Sequence, residues 1–326
     1  MRALINGLGG FTGGHLAEYL LASTELDLWG CGLSLVPKFA CAKQVRYRSL
    51  DLCDAAAVAD LLHEVRPDRV YHVAGLPGVH TSWDDPWGTL EGNVRPLLNT
   101  LEAMRKMNLD CRIIVVTSME VYGQVESSYL PLTETQAFHP NSPYGASKVA
   151  QDLLGLAYSL SHDMHVVRVR PLNFIGPRQS DQFVATSFAR QIARIEAGLQ
   201  PPVLRVGNLA AKRDFTDVRD MVRAFYLALE HCDPGRAYNV ASGQVYSIQV
   251  LLDQLLSLTS TKISVEVDPA RLRSSSTPTL VADCTRFQTA TGWSPEIPFE
   301  KTISDLLEYE RGFATSMNGV TAAGQS

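Results

Sequence analysis

The chain has 326 residues, 45% hydrophobic and 19% charged, with 34 acidic against 29 basic side chains for a net charge of −5. That size supports an ordinary core in one large domain or two unequal ones, and the scattered basic residues exclude a nucleic-acid polyanion binder and a polybasic membrane surface. No apolar run approaches the roughly 18 residues of a membrane span, and the N-terminus leads into a strand rather than a secretory segment, so the chain reads as soluble and cytoplasmic. Short β-branched or apolar runs at 3–6, 26–31, 45–50, 69–74, 112–117 and 165–170 predict strands. Segments of helical period at 12–22, 55–65, 90–107 and 144–159 predict helices between them, the third kinked at Pro96. This alternation predicts an α/β fold with a parallel sheet and crossover helices. Beyond Pro171 it weakens, and a smaller, discontinuous substrate-facing α/β region is expected at 173–207 and 247–312. Residues 1–172 and a returning segment at about 208–246 then make the main domain, and 313–326 a flexible tail.

Cys31, Cys41, Cys53, Cys111, Cys232 and Cys284 show no C-x-x-C spacing and read as reduced thiols. His162 and His165, flanking Asp163, read as a surface turn; no metal site is expected.

Directly after the first strand, Gly7, Gly10 and Gly13 stand in a G-x-x-G-x-x-G loop that opens a helix. Gly7 allows the tight turn, Gly10 the approach of backbone N–H groups to a pyrophosphate, and Gly13 close helix–strand packing, while the helix N-terminus with Phe11 and Thr12 supplies partial positive charge. The loop predicts a dinucleotide site on a Rossmann-type, doubly wound sheet. At the end of the second strand, where an acid would hold the ribose of NAD, the chain reads Gly32-Leu33-Ser34. With no carboxylate to repel a 2′-phosphate, NADP is favoured and NAD stays possible, with Ser34 or Lys38 as the contact. Asp51 is placed either to meet the adenine or to cap a helix.

Tyr144 and Lys148 stand four apart after Ser142-Pro143, an N-cap and first helical position, so both lie on one helix face. A phenol with an ordinary pKa of about 10 needs help to exchange protons near neutrality; an ammonium within ~4–6 Å and a nicotinamide cation favour the phenolate, and Lys148 can also hold the cofactor ribose. Ser118 ends the fifth strand, and strand C-termini are where open α/β sheets bind ligands. Ser118, Tyr144 and Lys148 are therefore the candidate hydrogen-bond donor, proton donor and electrostatic tuner.

These motifs resemble the extended short-chain dehydrogenases/reductases of the nucleotide-sugar epimerase/dehydratase group. The resemblance covers about residues 2–312 and rests on the glycine loop, Asp51-Leu52-Cys53-Asp54, His72-Val73-Ala74-Gly75, Asn93-Val94, the run from Ser118 to Gly123, Tyr144 with Lys148, and the run from Pro171 to Pro177. It implies a cofactor contacted by Leu52, Ala74, Gly75, Asn93, Thr117, Pro171 and Asn173 besides the residues above, a nucleotide diphosphate-sugar in the second domain, and a homodimer built on the third and fourth helices. The run from Val206 to Asp220, with Arg213-Asp214-Phe215, resembles the branch acting on GDP-mannose derivatives. Phe183-Val184 and the residues around them resemble GDP-4-keto-6-deoxy-D-mannose reductase more than the dehydratase. In that branch two arginines clamp the diphosphate, here Arg213 and Arg273, as guanidinium forks suit phosphate oxygens.

Three chemistries share such a scaffold. A 4,6-dehydratase needs a carboxylate base, and Glu120 stands at its position, but Met119 replaces a polar neighbour and a thioether carries no useful proton. Reduction of a 4-keto sugar needs only hydride and a proton from Tyr144, and is the favoured reading. A 4-epimerase is less favoured, since the acid after the second strand is missing, and a non-catalytic dinucleotide sensor is disfavoured by the intact Tyr/Lys pair. Ser82 and Asn173 are candidates for sugar contacts or ordinary loop hydrogen bonds, Trp83 and Phe183 for pocket walls or packing.

Overall fold

The computed structural model describes residues 1–36, 39, 41–272 and 280–323. Seven strands form one parallel sheet: β1 (Arg2–Asn6), β2 (Asp27–Gly32), β3 (Arg46–Ser49), β4 (Arg69–His72), β5 (Arg112–Val116), β6 (His165–Pro171) and β11 (Ala237–Val240). Their spatial order is β11-β6-β5-β4-β1-β2-β3, the doubly wound order with its reversal beside β1. β1, β4 and β5 are buried almost throughout because helices cover both faces of such a sheet.

The crossover helices are α1 (Phe11–Ser23), α2 (Ala55–Val65), α3 (Pro86–Lys106) and α4 (Pro143–His162). Their starts follow from capping chemistry. Asp54 accepts hydrogen bonds from the Ala56 and Ala57 amides, Asp85 from Gly88, and Ser142 from Gly145, with Pro86 and Pro143 in the first turn where no N–H is missed. Asp85-Pro86 therefore starts α3 four residues earlier than its apolar period suggests, and α3 runs through Pro96 as one helix. Asp163, left-handed at φ 51°, ends α4 after His162, and His165 already opens β6.

The chain divides into two compact units, one of Met1–Leu172, Arg219–Ala241 and Ala282–Ser294, the other of Asn173–Val218, Ser242–Val281 and Pro295–Ser326. The returning segment is thus narrower than the expected 208–246: β9 (Lys212–Asp214) and β10 (Thr216–Asp217) pair within the second unit, with β12 (Val245–Ser247) and β7 (Phe174–Ile175). A second return at Ala282–Ser294, carrying α8 (Thr285–Thr291), went unseen in the sequence; Arg286 donates to the Ala237 carbonyl of β11 there. The first unit also contains α6 (Val218–His231) from Arg219 onward.

The second unit packs α5 (Val184–Glu196), α7 (Ile248–Ser257) and α9 (Phe299–Ala323) through Phe188, Ile192, Leu251, Leu255, Ile303 and Leu307, with β8 (Val203–Val206) paired to β13 (Ser264–Val267). Arg190–Glu310 and Arg311–Glu196, each at 2.7 Å, tie α5 to α9. A frayed tail from 313 was expected; α9 continues to Ala323 instead. All six cysteines are free thiols. Among the described residues no helix is long and apolar enough to cross a membrane.

Candidate active site

The first unit gathers its chemistry at the C-terminal ends of β1, β4 and β5. After β1 the amides of Gly7 and Leu8 donate to the Cys31 carbonyl at 2.9 and 3.0 Å, and Gly10 donates to Gly7 at 3.1 Å, closing the turn. A Cβ on Gly13 would lie 2.3 Å from the Gly7 carbonyl oxygen and 2.6 Å from Leu8 Cα; Gly7, at φ +91°, would bring one to 2.8 Å from Ala74 Cα. Backbone thus packs closely against the turn at Gly7 and Gly13, while Gly9 faces the Ser34 and Tyr47 side chains. α1 opens on it with Gly10 at the N-cap, no capping side chain and no acid in its first turn, so its positive end faces no competing carboxylate. These residues fit a dinucleotide pyrophosphate.

At the end of β2, Ser34 is exposed and its Oγ lies 3.4 Å from where a Gly9 Cβ would stand. Tyr47 of β3, unremarked in the sequence, donates its hydroxyl to the Ser34 carbonyl at 2.7 Å and pins that turn. Lys38 and Arg273 lie outside the described residues. Asp51 accepts from the Cys53 amide at 2.8 Å, whereas Asp54 caps α2, so the turn before the helix, and not the cap, is where Asp51 serves locally. The Leu52 side chain, expected at the cofactor, is buried in the core and its carbonyl accepts from Asn99.

Asn6 and His72, buried at the ends of β1 and β4, form a pair that motif reading passed over. The Asn6 amide reaches His72 Nδ1 at 3.3 Å and Thr100 Oγ1 at 3.0 Å. Burial, then the charge of Lys148, push His72 down to about 3, so it is neutral. Asn93 of α3, expected to touch cofactor, uses its side chain inside the protein: Oδ1 accepts from the Leu76 amide at 2.6 Å and Nδ2 donates to Ser147 Oγ at 2.8 Å. It therefore holds the Gly75-Leu76 turn, where Gly75 has φ +155°, against α4. Thr117 likewise donates to the Val169 carbonyl at 3.0 Å, inside the sheet. Ser82 is buried and donates to Val79 at 2.6 Å, which makes it a loop hydrogen bond rather than a sugar contact; Trp83 beside it is 61% exposed.

Ser118, two residues beyond β5, caps a 3₁₀ turn over Met119–Val121, accepting from the Glu120 amide at 3.1 Å. Its hydroxyl is also hydrogen-bonded to the Tyr144 phenol. One turn along α4, Lys148 Nζ stands 5.8 Å from the Tyr144 ring centre and donates to the Val116 carbonyl at 3.1 Å and to Gln151 Oε1 at 2.8 Å. Ser118, Tyr144 and Lys148 thus come together as the spacing predicts. Gln151, missed, sits at the next step of the same face, a position that the i, i+4, i+7 spacing contains. Burial pushes Lys148 down to about 8. Without a nicotinamide cation beside it, burial and then the Glu120 charge raise the Tyr144 phenol above its ordinary range, with Ser118 acting the other way. Glu120 is part-buried and Met119 fully buried.

Pro171 closes β6 in the first unit. Asn173, Phe183, Val184 and Arg213 belong to the second. There the Asn173 carbonyl accepts from Thr216 at 3.1 Å, Phe183 is the N-cap of α5 with Val184 as its first residue, and Arg213 stands opposite Tyr246 in the β9–β12 ladder.

Comparison with known proteins places this arrangement. A relative from Pseudomonas aeruginosa, GDP-6-deoxy-D-mannose reductase, is 37% identical over 306 residues, covering 94% of this chain and 96% of that one. GDP-mannose 4,6 dehydratase 1 of Arabidopsis thaliana is 28% identical, covering 99% and 93%. Among solved structures, RMD from Pseudomonas aeruginosa complexed with NADPH superposes with a TM-score of 0.83 at 33% identity, over 96% of this chain and 99% of that one. The family model for GDP-mannose 4,6 dehydratase matches residues 4–306, and the chain belongs to that family of extended short-chain dehydrogenases/reductases.

Proposed function

We propose that this protein reduces GDP-4-keto-6-deoxy-D-mannose at C4 with NADPH. The observation that carries the reading is the meeting of Tyr144 and Lys148 one turn apart on α4, with Lys148 Nζ 5.8 Å from the phenol ring centre, in a chain 37% identical to a GDP-6-deoxy-D-mannose reductase. A ketone reduction consumes a proton at oxygen, and the Tyr144 phenol is placed to give it. NADPH, when bound, supplies the hydride. Ser118 donates to O4 and polarises the carbonyl, Tyr144 delivers its proton to O4, and Lys148 holds the nicotinamide ribose with an N–H. The Gly7, Gly10 and Gly13 loop, with Phe11 and Thr12, takes the pyrophosphate, and Ser34 beside Tyr47 takes the 2′-phosphate; NAD is the weaker cofactor because no acid waits there for a ribose hydroxyl. Asp51 meets the adenine. Arg213 and Arg273 hold the substrate diphosphate, with Asn173, Phe183 and Val184 on the sugar nucleotide.

A second reading, GDP-mannose 4,6-dehydration with Glu120 as base, is favoured by the charge that Glu120 exerts on Tyr144, which puts a carboxylate within the site. The fully buried Met119 thioether speaks for reduction, since it offers no second proton carrier. Incubation with GDP-mannose and, separately, with its 4-keto-6-deoxy product separates the two. NADPH consumption with the keto sugar alone supports reduction; keto sugar formed from GDP-mannose without added NADPH supports dehydration and removes the first reading.

The protein acts in the cytoplasm as a homodimer joined along α3 and α4. Ala146, Ala150, Leu153, Ala157 and Leu160 recur at helical spacing on α4, with Leu160 73% and, on α3, Trp87 74% exposed, an apolar stripe that a second copy would cover. Light scattering at micromolar concentration tests the dimer.

A further inference from the structure

An ammonium has three donors and no acceptor. In Lys148 the protein takes two of them, one by the Val116 carbonyl at 3.1 Å and one by Gln151 Oε1 at 2.8 Å. Gln151 is fully buried, and its amide cannot turn over without losing both partners, because Nε2 donates to the Asn93 carbonyl at 2.7 Å. Asn93 in turn grips Leu76 and Ser147. One hydrogen-bonded chain therefore leads from the turn after β4, through α3, to the Lys148 nitrogen.

We propose that Gln151 is a positioning residue for the reaction: it fixes the Lys148 ammonium in place and leaves its third donor for the cofactor ribose. The inference rests on the reading that NADPH binds at this site. A lysine buried as deeply as Lys148 sheds its proton readily unless acceptors surround it, and without Gln151 the Val116 carbonyl would be left as its acceptor among the described residues. A neutral amide supplies the second acceptor without neutralising the charge.

Other charged or titratable groups face this part of α4. On its own helix Tyr144 is held protonated and Asp152 is engaged by Arg168 and Arg170; β4 presents His72, neutral down to about 3; the turn after β5 presents Glu120 beside Tyr144. A limb near pH 8 in ligand binding then reports Lys148, whose pKa burial brings to about 8.

The test is titration of NADPH, followed by its fluorescence, into wild-type protein, Gln151→Met and Gln151→Glu between pH 6 and 10, with the keto sugar assay run alongside. Gln151→Met, close in shape but without the acceptor, is expected to weaken NADPH at pH 7 by about tenfold or more, the size expected for one hydrogen bond to a charged group, and to move the alkaline limb to lower pH. Gln151→Glu keeps an acceptor and adds a charge, so its limb moves to higher pH. A purely structural glutamine would change affinity equally at all pH values and leave both limbs where they are, and that result overturns the proposal. Should Gln151→Met fail to fold, an unshifted limb in Gln151→Glu overturns it alone. Wild-type protein that binds no NADPH overturns the functional reading and this inference together; wild-type protein that binds and turns over, with variants matching it, overturns only the role of Gln151.

Discussion

Asp152, one turn beyond Lys148 on α4, holds the Arg170 guanidinium of β6 through two hydrogen bonds of 2.8 and 2.9 Å, with Arg168 on the same carboxylate. All three side chains are buried, so a single carboxylate answers two guanidinium groups. Arg170 also donates to the Tyr122 hydroxyl at 2.8 Å and to the Glu134 carbonyl at 3.0 Å. This cluster fastens to the sheet the helix that presents Tyr144 and Lys148.

Asp152→Asn therefore leaves two buried cations without their counter-charge. Loss of one partner from a buried ion pair costs about 3–5 kcal/mol. Urea unfolding followed by circular dichroism should show the unfolding free energy lowered by that amount and the midpoint moved to lower urea; a midpoint unchanged from wild type would mean the cluster adds nothing to stability.

Tyr144→Phe removes the proton donor and keeps the ring. Turnover of the keto sugar should fall by ~10²–10⁴-fold, the usual contribution of general acid catalysis, while NADPH still binds. Wild-type turnover by this variant would falsify the assignment of the phenol.

Lys148 has its folded pKa lowered to about 8 from 10.5 by burial. Activity should decline as pH rises through about 8, where the ammonium is lost. Stability moves the other way: between about 8 and 10.5 the unfolded chain binds more protons than the folded one at this residue, so the Lys148 contribution rises with pH there. Lys148→Arg, which stays charged, should be slower at pH 7 and lack the alkaline decline in rate. The same decline in both proteins would assign it to another group.

Gly13→Ala places a methyl 2.3 Å from the Gly7 carbonyl oxygen and 2.6 Å from Leu8 Cα, so the turn has to open. Fluorescence titration should show NADPH bound at least about tenfold more weakly, a change of about 1.4 kcal/mol. Equal affinity in the variant would take the phosphate away from this loop.

Much of the site was legible because its signals are local. The glycine spacing, the Ser142-Pro143 start of α4 and the four-residue step from Tyr144 to Lys148 each describe a single turn of chain. The partners of residues assigned by the family resemblance, or by their place after a strand, were not legible in the same way. Leu52, Asn93, Thr117 and Ser82 stand at the right end of the sheet, yet their side chains meet core or backbone partners. The direction of Tyr144's pKa was also out of reach, since burial and the Glu120 charge arise only once β5 and α4 pack together.

The amino-acid order alone determined the alternation of strands and helices, the phosphate turn and the tyrosine–lysine face, because periodicity and capping act over a few neighbouring residues. Tertiary structure decided which buried polar groups meet: Asp152 with Arg168 and Arg170, Asn93 with Leu76, Tyr47 with Ser34. Such partners lie on different elements, and each must be matched once water is excluded. Only the packing of one element on another determines the match.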